Sequence, residues 1–246
     1  MSDPSPVPGP AQQTSLNDVL AAPGSDTDAL AALVRSWATG WALSRGFAAP
    51  DPIGTALWIR PGEPGREREL VWVLADEEIE PDLLATIGAS PTPTWVTVAT
   101  QDVSQTQGEL SERGVVPAGW PEWLMSKNLA DVEESACPES FTCTLDESGS
   151  VLRATATTAA GVVACSGQMA VTGDGSAVAD RIVTEEGFRR RGLGRHLMGR
   201  LSEAALARGA TTGVLIASAE GHGLYTALSW SPLCDVVVAR NTAAMA

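Results

Sequence analysis

The chain has 246 residues and a formal net charge of −14. That length fits one large domain or two modest ones, and the acidic balance argues against nucleic acid as the main partner, because phosphate binding wants a basic surface. Nothing approaches the roughly 18 consecutive apolar residues of a membrane helix, and the opening MSDPSPVPGPAQQTS has neither the basic start nor the apolar run of a secretory signal. The expected setting is therefore cytoplasmic, with no membrane partner. Lys127 is the only lysine. Arginine carries nearly all the basic charge, as the codon bias of a high-GC bacterial genome would produce.

Residues 1–15 read as a disordered lead-in. Residues 16–48 read as helical. Leu16, Val19 and Leu20 begin the run, and Pro23-Gly24-Ser25 interrupts it. Asp26 or Thr27 caps a second helix, in which Leu30, Leu33, Val34, Trp37 and Trp41 recur at helical spacing. Strands are expected at 55–60 and 69–74, a helix at 81–87 and a strand at 95–100. Residues 117–124, PAGWPEWL, read as a turn-rich aromatic segment. Seven of the eight tryptophans precede residue 124, and packing is the expected use for most of them. The polar stretch 131–138 marks a boundary. It separates an N-terminal α+β domain, residues 16–136, from a second domain, residues 137–246.

In the second domain, strands are expected at 141–145, 151–158, 161–171 and 177–184. A helix follows, with Leu193, Leu197, Met198, Leu201, Ala205 and Leu206 on its apolar face and Gly209 just past its end. A strand at 214–217, a helix at 220–228 and a strand at 234–239 complete the order. That order fits a mixed sheet flanked by helices. The four cysteines, Cys137, Cys143, Cys165 and Cys234, form no Cys-x-x-Cys pair. They read as free, buried or half-buried thiols, and no metal is expected.

The segment with the most chemistry is Arg189-Arg190-Arg191-Gly192-Leu193-Gly194-Arg195. It follows a strand and opens a helix. Its glycines permit a tight turn and close backbone approach. The free N–H groups and dipole of the helix start suit a pyrophosphate, and arginines add charge-assisted hydrogen bonds. Neither a P-loop nor G-x-G-x-x-G is present.

Arg189-x-x-Gly192-x-Gly194 resembles the R/Q-x-x-G-x-G/A signature of GCN5-related N-acetyltransferases, the GNAT family. The preceding strand, with Asp180, Ile182, Val183 and Thr184, is similar to that family's fourth strand. Leu224-Tyr225-Thr226-Ala227-Leu228-Ser229-Trp230 resembles its Leu-Tyr-x-x-Leu-Gly ending, with Ser229 where glycine is usual. The resemblance covers about 110 residues and implies an α/β fold. The sheet would be GNAT-like, mixed and mostly antiparallel, flanked by helices, and the α+β N-terminal domain would be a degenerate GNAT-like half.

The resemblance also implies acetyl-CoA as acyl donor and direct attack by a primary amine, with a small molecule as the expected acceptor. Ile182, Val183 and Thr184 would meet the pantetheine arm. Arg189, Arg190, Arg191, Gly192, Leu193, Gly194 and Arg195 would hold the pyrophosphate. Tyr225, the only tyrosine, would be the general acid. A base is harder to assign. Asp180 shares strand parity with Ile182 and Thr184, and Glu185 and Glu186 follow the strand. His222 is a rival, and His196 reads as a structural or phosphate-side contact. A catalytically silent acyl-CoA-binding module is the alternative reading. Either would be a monomer or homodimer.

Overall fold

The computed structural model describes residues 26–72, 80–131 and 135–245. The expected lead-in and the helical start at Leu16, Val19 and Leu20 lie outside them. Helix α1 spans Asp26–Arg45. Strands β1 (Asp51–Ile53), β2 (Ala56–Ile59) and β3 (Arg68–Trp72) follow, then α2 (Pro81–Gly88), β4 (Thr94–Thr100), α3 (Val103–Glu112), β5 (Val115–Pro117) and β6 (Glu122–Asn128). The second half contains β7 (Phe141–Ser148), β8 (Val151–Thr158), β9 (Val163–Val171), β10 (Ser176–Thr184), α4 (Leu193–Ala207), β11 (Thr212–Ser218), α5 (Ala219–Ala227) and β12 (Ser231–Asn241).

These twelve strands join one sheet, in the order β1-β2-β3-β4-β12-β6-β11-β10-β9-β8-β7, with β5 also on β12. Among the described residues, only β3–β4 and β10–β11 are parallel. Each parallel pair needs a crossover: α2 supplies one and α4 the other. Apart from the short β5 in the first half, each half thus runs strand, helix, parallel strand, helix, final strand. The final strands are exchanged. β6 of the first half pairs with β11, β12 of the second pairs with β4, and β6 and β12 pair with each other. The N-terminal half therefore repeats the order of the C-terminal half, as a degenerate GNAT-like half should.

Helices α2 to α5 cover one face. Against it α4 packs Leu193, Leu197, Met198 and Leu201 over Leu152, Met169 and Leu215. Gly209 ends α4 with φ of 88°. Its N–H reaches Leu206 O, and the Ala210 N–H reaches Ala205 O, a paired C-terminal closure that satisfies two orphan carbonyls. The other face carries α1, through Val34, Trp37 and Trp41 on Val178, Val214 and Val236. Gly40 lets the helix lie close to the sheet, since a Cβ there would sit 2.3 Å from Val178.

Two expectations are corrected, and one helix was not expected. Residues 122–128, read as part of a turn-rich segment and its continuation, form a central strand. Helix α3 went unread, because only Thr106 and Leu110 are buried along it; its start is marked by Asp102, whose side chain accepts from the Gln105 N–H at 2.9 Å. Cys137 and Cys143 are not free thiols but a disulfide. Cys165 and Cys234 are free and buried, as expected.

Candidate active site

The two parallel pairs differ in one respect that creates a site. β3 and β4 stay paired over five positions, Arg68 with Thr94 to Trp72 with Val98. β10 and β11 pair over only three, Ser176 with Thr212 to Val178 with Val214, and then diverge. The cause of the divergence lies in β10. Against β9, Asp180 faces Gln168 but Val183 faces Ser166, so one extra residue bulges out. Arg181 takes a left-handed φ of 54° there. A bulge bends its strand and re-aims the residues beyond it. Val183 and Thr184 keep β9 on one side and leave the backbone on their other side without a strand. An extended chain can hydrogen-bond there as an added strand would. Ile182 packs over Gly167, beneath α4.

At the end of β10 the arginine-glycine turn opens α4. Arg190 and Gly192 both have left-handed φ, 62° and 80°, and Gly192 is the helix N-cap. The early amides of α4 face outward at this end, where an anion would be stabilised. Arg190 and Arg191 are exposed. Arg189 donates to Thr184 O at 3.1 Å and pairs with Glu220 at 2.5 Å, tying the turn to both β10 and α5. Arg191 donates to Gly187 O and lies over the Phe188 ring, and Arg195 donates to Ala227 O. Gly194 sits between Leu224 and Thr184, where a Cβ would lie 3.0 Å from Leu224 Cδ2. Gly194→Val should therefore push α4 from α5 and obstruct the anion site. Affinity for acetyl-CoA, the donor that the resemblance implies, read by calorimetric titration of the folded variant, is expected to fall at least about tenfold, the loss of roughly one charge-assisted hydrogen bond.

Tyr225 lies on α5, across the gap. Its ring is buried against Trp230, with centroids 6.1 Å apart. Its hydroxyl has no hydrogen-bond partner among the described residues. Burial, together with the charge of Asp180, pushes its pKa up to about 12, so the phenol stays protonated at neutral pH. Ser229 has φ of 61°. That left-handed turn explains why glycine suits this position, and here serine adopts it.

On the α1 face Asp180 is fully engaged. Arg45 grips it with two hydrogen bonds of 2.9 and 3.0 Å, Ser44 donates at 2.8 Å and Gln168 at 3.3 Å. Burial works to raise its pKa, but the Arg45 bonds and charge, with Ser44 and Gln168, outweigh burial and hold it below the usual carboxylate range. A carboxylate held by four donors is a poor proton acceptor, and its geometry suits anchoring α1 to β10. Asp180→Ala would leave Arg45 unpaired, and an expected loss of about 3 kcal/mol should appear in chemical denaturation. Because the folded-state pKa is depressed, the wild-type contribution is present above the unfolded value near 4 and is lost as pH falls through the folded value. Glu185 and Glu186 are exposed on the turn. His222 lies tilted against Trp123, with ring centroids 4.5 Å apart.

One carboxyl outside the sequence reading stands out. Glu122 opens β6 and pairs in register with Ser218 at the end of β11, so that β11 stands between it and the gap. It shares the α1 face with Leu124. Burial raises its pKa, Arg66 lowers it, Glu69 raises it and a Trp120 hydrogen bond lowers it, leaving it at about 7. Around it lies an aromatic and charged wall. Arg66 sits over Trp41 at 5.1 Å and over Trp95 at 4.9 Å, and pairs with the fully buried Glu69. Glu69 also accepts from Thr97 at 2.7 Å.

Residues 118–229 match the model of the acetyltransferase (GNAT) family. Among solved structures, a GCN5-related N-acetyltransferase from Kribbella flavida shares 15% identity with a TM-score of 0.61, over 85% of this chain and 95% of its own. A putative GNAT acetyltransferase from Novosphingobium aromaticivorans gives 14% and 0.54, over 84% and 97%. A tandem GNAT protein from the clavulanic acid biosynthesis pathway gives 14% and 0.50, over 61% and 64%. No curated protein sequence matches. At such identities the structural likeness is one of fold, and the family match begins ahead of β6, the strand set beside β11. Across residues 118–229 the chain is therefore similar to the acetyltransferase (GNAT) family.

Proposed function

We propose that the protein transfers the acetyl group of acetyl-CoA to a primary amine, by direct attack in a ternary complex. The observation that carries this reading is the gap between β10 and β11, with an anion-binding helix start at its rim and an unpartnered phenol across it. In this reading the amides of residues 190–195 hold the pyrophosphate, and Val183 and Thr184 pair with the pantetheine arm. The thioester then lies in the gap.

The amine arrives from the α1 face, where the first half of the chain forms the wall. A free alkylamine is mostly protonated at neutral pH, and Glu122, with a pKa near that of the medium, is suited to accept its proton directly or through a water. The neutral amine attacks the thioester carbonyl, and Tyr225 protonates the sulfur as the C–S bond breaks. Asp180 positions α1. In the first half, the sequence between β3 and α2 reads VLADEEIE. It is acidic and lacks glycine, a composition that repels phosphate, so a single acetyl-CoA site is expected.

Direct attack has a distinct signature. Incubated with acetyl-CoA alone, the protein is expected to release no stoichiometric thiol and to keep its intact mass. A burst of thiol with one acetyl group added to the chain would replace direct attack with an acyl-enzyme.

A further inference from the structure

A second group of reactive side chains lies outside the acetyl-CoA site. Cys137 precedes β7, Cys143 lies within it, and His196 belongs to the first turns of α4. One ligand atom from each, two sulfurs and an imidazole nitrogen, all lie within 4.8 Å of one another. His196 is a polar interruption of the apolar face that carries Leu193, Leu197 and Leu201, and it is only 5% exposed. Its Nδ1 is held by the Ser135 carbonyl at 2.5 Å. That bond leaves Nε2 as the open ring nitrogen, and no other hydrogen bond to the ring occurs among the described residues. A cavity of about 230 Å³ opens beside the three residues, lined also by Thr144, Leu145 and Arg200.

We propose that Cys137, Cys143 and His196 are the three protein ligands of a zinc-type divalent cation, bound when the two cysteines are reduced. A disulfide alone gives no reason for a buried imidazole fixed by a backbone carbonyl beside it. A metal site does: a ligating histidine ordinarily donates its second ring nitrogen to such a carbonyl, which sets the tautomer and orientation. The spacing also fits. Tetrahedral zinc with sulfur at about 2.3 Å and nitrogen at about 2.0 Å separates its ligand atoms by about 3.5–3.8 Å, within reach of small side-chain rotations from the present positions. Two thiolates and a neutral imidazole balance the cation's charge. The cavity provides room for water as fourth ligand.

The chemistry balances simply. A dithiol reductant attacks the Cys137–Cys143 bond, becomes a cyclic disulfide itself and leaves two thiols. Each thiol gives up its proton to solvent as it takes the cation. The bound cation would tie residues 135–143 to the first turns of α4. The test of this site does not use acetyl transfer.

The full chain, reduced and freed of metal by a chelator, is titrated with Co²⁺ and then Zn²⁺. One equivalent of Co²⁺ is expected to give a thiolate-to-cobalt charge-transfer band that Zn²⁺ removes. Cys137→Ser and Cys143→Ser should each weaken that band and lower affinity at least about tenfold, and His196→Gln should do the same with circular dichroism unchanged. The double variant Cys137→Ser/Cys143→Ser controls for the buried Cys165 and Cys234. Absence of the band in the reduced chain with both thiols titratable, or the same band in the double variant, would overturn the proposal.

Discussion

Tyr225→Phe is expected to lower the rate constant for acetyl transfer by roughly 10²–10⁴, the range for a general acid. The lower end fits better here, because a thiolate leaves fairly well unprotonated. The substitution removes one oxygen and keeps the ring against Trp230. That oxygen has no partner among the described residues, so its loss breaks no internal hydrogen bond there and should leave thermal stability and acetyl-CoA affinity nearly unchanged. A purely packing tyrosine would give normal turnover in the same variant. The high pKa also has a consequence. Since the phenol ionises only near pH 12, no alkaline fall in rate from this group is expected below about pH 10, two units short of its titration.

Glu122→Gln is expected to be the second large effect, a fall of roughly 10²-fold in kcat/KM at neutral pH, typical of a lost general base. The wild-type rate should rise with pH through about 7, as the carboxyl ionises, and the variant should lose that limb. Stability gives an independent check. The folded-state pKa is raised above the unfolded value near 4.3, so between those values the folded chain binds more protons than the unfolded one. Stability from this group therefore falls as pH rises through that window. Glutamine removes the penalty, and the variant should gain stability relative to wild type at pH 8 more than at pH 5. An unchanged pH–rate profile would make Glu122 a wall residue only.

The arginine-glycine turn and the α5 motif were legible because each is local: two glycines sit at a helix start, and Leu224, Tyr225 and Leu228 lie within one short helix and its end. The helices and strands around them come from apolar periodicity. β6 was not legible. Its sequence carries Pro121 ahead of it and Lys127 within it, and it becomes a strand because β11 and β12 close on both sides. Tertiary pairing overrides local propensity in such places. Glu122 was hidden for the same reason, 67 residues ahead of Arg189, the start of the motif it joins through the exchanged strand. Sequence parity groups Asp180 with Ile182 and Thr184, but the bulge at Arg181 separates them: Asp180 faces Ser44 and Arg45 of α1, whereas Ile182 packs beneath α4. The β10 bulge has no glycine to announce it; Arg181 adopts the left-handed turn instead. The Cys137–Cys143 pairing was missed because a six-residue separation without a Cys-x-x-Cys pattern gives no signal until β7 turns Cys143 towards the preceding loop.

The central claim is that the β10–β11 gap delivers an acetyl group to an amine. Its most direct test is release of CoA thiol from acetyl-CoA across a panel of small amines, amino acids, polyamines and peptide N-termini, with mass spectrometry of each acceptor. The account predicts sustained, acceptor-dependent release with an equal yield of N-acetylated product, suppressed in Tyr225→Phe. Tight acetyl-CoA binding with no acceptor-dependent release from any member of the panel would contradict it and leave a cofactor-binding module in its place.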